Sequence, residues 1–166
     1  MMDPTELAWH ASSFNAYEGM SYWCGKEEVD GYLDSWLQYL DTPPISIPSS
    51  GYQLKAQMAW GLEDPAGATV SGSCTDGWDA ANVRISTDGG TAWDLLTGTD
   101  AYDFNCGYGW IWNDAGYESG GALNHLAPGW GGQSSWHEVT FNLNSYAGEE
   151  VIIRFAFGSD PAYSTP

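Results

Sequence analysis

The chain has 166 residues, with 4 Lys and Arg against 22 Asp and Glu, a formal net charge of -18. A field of that sign repels phosphate backbones and anionic lipid, which argues against nucleic acids and acidic membrane surfaces as partners. It favours cations, Ca²⁺ above all, although charge of one sign also serves solubility alone.

The length suits a single domain over 1–166 with a real core. Gly 21 and Trp 10 are high and long helical periodicities are scarce, which points to a β-sandwich or barrel with many turns. No run of about 18 apolar residues exists, so no transmembrane helix is expected. Met1 to Glu6 carry neither a basic region nor an apolar one, so no signal peptide is read there. Taken alone, that suggests a cytoplasmic protein. It fits equally a piece cut from a longer secreted chain.

In chain order, residues 7–14 read as a first strand and Tyr17-Glu18-Gly19 as a turn. Met20 to Cys24 reads as a second short strand. Residues 32–40 are read as irregular or strand-like, although Leu33, Trp36, Leu37 and Leu40 have helical spacing. Thr42-Pro43-Pro44 ends any regular element there. Ile45 and Ile47 suit an edge strand. Residues 51–62 form the cleanest strand, with Tyr52, Leu54, Ala56, Met58 and Trp60 on one face.

A Gly- and Ala-rich acidic loop, 63–80, precedes a hairpin over 81–97. Val83 and Ile85 alternate with Asn82, Arg84 and Ser86, as in a half-buried strand. Asp88-Gly89-Gly90 supplies the positive-φ residues that a turn needs, and Trp93 and Leu95 mark the return strand. Residues 98–134 are the longest irregular segment and are rich in aromatics. A loop of that length carries function or structure of its own. Residues 136–143 alternate with a one-residue break that suits a bulge. Ser145 to Gly148 turns the chain, and Val151 to Phe157 is the last strand. The expected core is Val83, Ile85, Trp93, Leu54, Met58, Trp60, Phe141, Ile153 and Phe155.

Cys24, Cys74 and Cys106 are an odd number, so one at least is left over. A Cys74–Cys106 bridge is expected because both lie in Gly-rich, loop-like surroundings. Cys24, beside Trp23 in an apolar strand, reads as a small buried hydrophobe.

Several ordered motifs carry a resemblance. They are Tyr17-Glu18-Gly19 with Ser21-Tyr22-Trp23-Cys24-Gly25, Leu40-Asp41-Thr42-Pro43-Pro44-Ile45, Asp76-Gly77-Trp78-Asp79 through Trp93, and Ser145-Tyr146-Ala147-Gly148 with Val151-Ile152-Ile153-Arg154-Phe155. Together, over roughly residues 8–160, they resemble the MAM-like jelly-roll domain that accompanies immune inhibitor A-type metallopeptidases and occurs in other bacterial exoproteins. The resemblance implies an all-β, two-sheet antiparallel β-sandwich, a secreted or cell-surface location and an ancillary, non-catalytic role. It also implies a Ca²⁺ site. Such domains continue into a closing strand that is not seen here, which would leave an open sheet edge.

The residues themselves bear on three chemistries. For an enzyme, His137-Glu138 lacks the second His of a zinc-peptidase helix, His10 and His125 are far away, and no Gly-x-Ser-x-Gly elbow occurs. No catalytic residue is assigned, and any catalytic unit is expected elsewhere in the parent protein. For a cation, Asp76 and Asp79 lie three apart about a turn, with Glu18 as a further ligand and Glu63 and Asp64 within range. The plainer account is that Asp76-Gly77 is turn chemistry and Asp79 caps a loop. For a sugar, Tyr108, Trp110, Trp112, Tyr117 and Trp130 offer flat rings beside Asn113, Asp114 and Asn124, and Trp110 and Trp112 share a face if extended. The plainer account is that these rings cap the core with indole N–H groups on backbone carbonyls. Expected partners are neighbouring domains of the parent chain, a polysaccharide or a cell-surface protein. A purely structural or adhesive module fits the same residues.

Overall fold

The computed structural model describes residues 8–70, 74–115 and 127–162. In chain order its strands are β1 (Trp9–Ser12), β2 (Ser21–Cys24), β3 (Leu37–Asp41), β4 (Ile45–Ser46), β5 (Gln53–Gly61), β6 (Asp76–Gly77), β7 (Ala80–Ser86), β8 (Asp94–Leu95), β9 (Cys106–Gly107), β10 (Gln133–Asn142) and β11 (Glu150–Gly158). A single α-helix, α1 (Tyr108–Trp112), accompanies them among the described residues. The all-β expectation holds. No helix among these residues is long and apolar enough to cross a membrane.

Two antiparallel layers face each other. One runs β3-β11-β7-β8, with β4 also paired to β11; the other is the pair β5-β10. Alternation explains the interface. Val83 and Ile85 of β7, Val151 and Ile153 of β11, and Val139 and Phe141 of β10 all point inward and are buried. Leu54, Met58, Trp60 and Phe155 pack against them half-buried. The break in β10 is a register shift between Ser134 and His137, where the bulge was expected.

Two expectations are corrected. First, β7 is not half-buried, because Asn82, Arg84 and Ser86 on its outer face are buried as well. The segment on either side of β9 lies over that face, with Phe104 and Trp110 packed on Ala80 and Ala156. Residues 98–134 therefore carry structure of their own in part, as a cover over this face. Second, Trp93 is outside the core. It closes the turn 87–93, donates its indole N–H to the Gly90 carbonyl at 3.0 Å and lies 3.8 Å over the Arg154 guanidinium. The turn is wider than a two-residue hairpin because the Asp88 carboxylate caps it, accepting the N–H groups of Thr91 at 3.0 Å and Ala92 at 2.9 Å.

Close approach accounts for part of the glycine content. A Cβ on Gly77 would stand 2.3 Å from the Phe104 ring, and one on Gly109 only 2.1 Å from the Gly158 carbonyl oxygen. Only glycine lets α1 settle on the end of β11. Asn113 then fastens the helix, its Nδ2 donating to the carbonyls of Gly109, Trp36 and Ser159 at 2.7, 3.1 and 2.8 Å. Cys74 and Cys106 are disulfide-bonded across 32 residues, beside the parallel β6–β9 pairing. Cys24 is free and half-buried, and burial pushes its thiol pKa up.

Gly109→Ala is expected to cost about 1–3 kcal/mol through overpacking, read as a lower urea midpoint with unchanged slope. Reduction of Cys74–Cys106 is expected to cost about 2–4 kcal/mol for a loop of this length, read as a lower melting temperature in dithiothreitol.

Candidate metal centre

Three carboxylates from distant parts of the chain meet at one end of the sandwich. Asp79 immediately precedes β7 and is 0% exposed. Glu63 follows β5, and Asp160 follows β11. One ligand oxygen from each lies within 4.8 Å of the other two.

The local structure shows what holds them there. The Tyr32 hydroxyl donates to Asp79 Oδ2 and accepts the Glu63 N–H at 3.2 Å. The Asp160 N–H donates to Asp79 Oδ1 at 2.7 Å. Asp160 is anchored in turn: its carbonyl accepts the Ser35 N–H at 2.6 Å, and its Oδ1 accepts the Ala162 N–H at 2.8 Å. Tyr32 itself is buried against Phe157. Backbone geometry thus fixes two of the carboxylates before any ligand arrives.

Electrostatics make the arrangement expensive. Burial first, then the charges of Asp79, Asp160 and Asp34, raise the Glu63 pKa to about 7. Burial likewise raises Asp79 to about 7, against the lowering effect of its bonds from Tyr32 and the Asp160 N–H. Asp160 is raised by burial and by Asp34. Glu63 Oε2 is buried with no hydrogen-bond partner. Three basic side chains are engaged elsewhere, Lys55 with Glu138, Arg154 with Asp41 and Arg84 over Trp110. Such a group takes up protons or a hard cation, and three converging carboxylate oxygens are the ligand type that Ca²⁺ prefers.

Of the expected ligands, Asp79 stands in this group and Glu63 joins it. Asp76 does not, since it lies in β6 with its Oδ2 accepting the Val70 N–H at 2.8 Å. Glu18 is exposed near the β1–β2 turn, away from the group. Asp64 caps its own loop through the Ala66 N–H. Asp160 escaped sequence reading because it is 81 residues from Asp79 and sits in a Ser-Asp loop with no spacing signature.

The aromatic platform is not assembled. Trp110 and Trp130 are buried, with indole N–H groups on the Pro128 and Ala101 carbonyls at 3.2 and 3.0 Å. They cap the core. Trp110 and Trp112 occupy a helix, where two residues turn by about 200°, so they face apart. Trp112 is exposed and bonds Ser35 Oγ, Tyr108 rests between Trp78 and Trp112, and the Asn113 amide is consumed by its three carbonyls. Asp114 is exposed with φ 53°. Tyr117 and Asn124 lie outside the described residues.

One further constellation has the residue types of a hydrolytic triad. His137 Nε2 is 2.6 Å from Asp100 Oδ2, and its Nδ1 is 3.4 Å from Ser134 Oγ. Nδ1 is closer, at 2.8 Å, to the Ser135 carbonyl. The Ser135 carbonyl and the Asp100 carboxylate both suit a donating nitrogen and raise the His137 pKa, and the longer contact makes Ser134 the weaker of the two Nδ1 partners.

No protein-family model and no curated protein matches the sequence.

The raised pKa values fix a sign. Folded carboxyl groups titrating near 7 bind more protons than unfolded ones across about pH 4–7, so without a cation their penalty grows as pH rises through that window. In EDTA, Glu63→Gln is expected to raise the melting temperature at about pH 8 and to leave it little changed at about pH 4, where the parent carboxyl is already protonated. A larger gain at the acidic end would overturn this account.

Proposed function

We propose that this chain is a cation-stabilised, non-catalytic β-sandwich module of the MAM-like jelly-roll type. In this reading it is an ancillary unit of a secreted or cell-surface bacterial protein, set beside a peptidase or similar catalytic unit. Its partners are then neighbouring domains of the parent chain, with a polysaccharide or cell-surface protein as further candidates. The motifs behind the resemblance occupy coherent places. Tyr17 to Gly25 form the β1–β2 turn and β2, Leu40 to Ile45 lead from β3 into β4, Asp76 to Trp93 build β6 and β7 and the turn before β8, and Ser145 to Phe155 turn into β11. The Cys74–Cys106 bridge supports an oxidising compartment.

The observation that carries the cation reading is the convergence of Glu63, Asp79 and Asp160 at the ends of β5 and β11 and the start of β7. A cation there ties both layers together at one end. Because the protein ligands come from remote segments, the site exists only in the folded chain, so binding energy becomes folding energy.

Thermal unfolding in Ca²⁺ and in EDTA tests this. Free Ca²⁺ at a hundredfold excess over its dissociation constant stabilises by about 2.7 kcal/mol, a rise on the order of 5–11 °C for a domain of this size. Asp79→Ala and Glu63→Gln are expected to abolish the rise, whereas Asp76→Ala retains it. An equal midpoint in Ca²⁺ and EDTA would sink the cation reading.

A further inference from the structure

A second feature lies apart from the carboxylate group's oxygens. A cavity of about 740 Å³ separates the β1–β2 hairpin from the two layers. Trp9 and Trp23 of the hairpin, Met58 and Trp60 of β5, Trp136 of β10 and Phe155 of β11 are among its walls. Protein interiors are close-packed, so an apolar space of this size forgoes contacts that a folded chain otherwise makes. Small-molecule sites fall in the range of about 300–1,000 Å³ and have such walls.

The walls define the chemistry of an occupant. None of the described lining residues is Lys, Arg or His, and Asp30 is the sole acid among them. With a chain charge of -18, an anion is repelled and finds no partner. The many rings favour stacking on another ring. Polar side chains of the lining, among them Asn15, Gln57, Gln133 and Ser135, are outnumbered by apolar and aromatic ones. The amide of Asn82 is already spent, donating to the Pro128 carbonyl at 2.9 Å and accepting from Arg84 Nε at 3.0 Å.

At the mouth, the hairpin turn leans on β10. Trp136 donates its indole N–H to the Asn15 carbonyl at 2.8 Å, and the Tyr17 ring lies 5.8 Å from that of Trp136. Phe14, Tyr17, Met20 and Tyr22 are exposed on the same hairpin. An apolar rim thus surrounds an apolar cavity, an unusual concentration for a surface otherwise so acidic.

We propose that this cavity is a binding site for an uncharged, predominantly apolar ring compound. Nile red, an uncharged fused-ring dye with a ring carbonyl, is the probe, and anilinonaphthalene sulfonate is its anionic counterpart. Fluorescence titration of the whole chain is expected to give saturable one-to-one binding of Nile red with blue-shifted emission. The sulfonate is expected to bind at least about tenfold more weakly. Met58→Trp fills the cavity and is expected to abolish binding while melting cooperatively. Should that variant fail to fold, Trp136→Ala serves instead: it removes a partly exposed ring from the wall, and a severalfold loss of affinity is expected. Non-saturable uptake, equal affinity for the sulfonate, or unchanged binding by Trp136→Ala overturns the proposal. So does saturation by a neutral oligosaccharide where Nile red does not bind.

Discussion

Arg84 and Arg154 stand directly opposite each other on β7 and β11, on the face turned away from the other layer. Like charges in that position repel, yet this pair lies at the centre of the main sheet. The outer face resolves the conflict with rings and one carboxylate. Arg154 lies between Trp93 and Tyr39, at 3.8 and 4.1 Å from their centroids, and makes a bidentate pair with Asp41 at 2.7 Å. Arg84 lies 4.7 Å over Trp110 and bonds Asn82 through Nε. Cation–π contacts strengthen as water is removed, so this arrangement works only if the face is covered. The cover is the segment that carries Phe104 and α1, and its glycines let it settle closely enough. The pairing of β7 with β11 therefore depends on residues about twenty to thirty positions away in sequence. The irregular segment is required by the sheet.

Both layers and their cover end near the same place. Asp79 leads into β7, Asp160 follows β11, Glu63 follows β5, and Asn113 fastens α1 to the Ser159 carbonyl next door. The carboxylate group sits where these segments terminate, so its state of charge bears on the junction of the layers. Tyr32 strengthens the link, since one hydroxyl touches Asp79 and the Glu63 backbone together. A group so placed stabilises the fold when protonated or cation-bound and opposes it when bare.

Alternation is a local property, and it carried the strands. β5, β10 and β11 were legible because one face of each is apolar at every second residue, and the break before Val139 marked the bulge. Asp88-Gly89-Gly90 marked its turn for an equally local reason. The cover and the site were not legible in this way. Whether Trp110 caps a core or offers a surface depends on what lies above it, which no spacing records. Trp93 has the right parity for the core, but Arg154 draws it to the other face. Asp79 drew attention because Asp76 stood near it, yet its neighbours in space are Glu63 and Asp160. Convergence of three strand ends is a property of the topology, and only the topology reveals it.

The overall charge and the buried group act on different scales. Exposed carboxylates raise the local concentration of any cation near the surface, an effect that salt screens over about 8–10 Å. The Glu63-Asp79-Asp160 group is less accessible to screening, and on the proposed reading its selectivity would come from oxygen geometry and from the proton it must give up. The aromatic cavity obeys neither rule, since its walls include no cation and favour uncharged matter. On the two proposals made above, the charged surface, the buried carboxylates and the apolar cavity of one small sandwich would select for different solutes by different physics: screened attraction, dehydration against a fixed set of oxygens, and exclusion of charge.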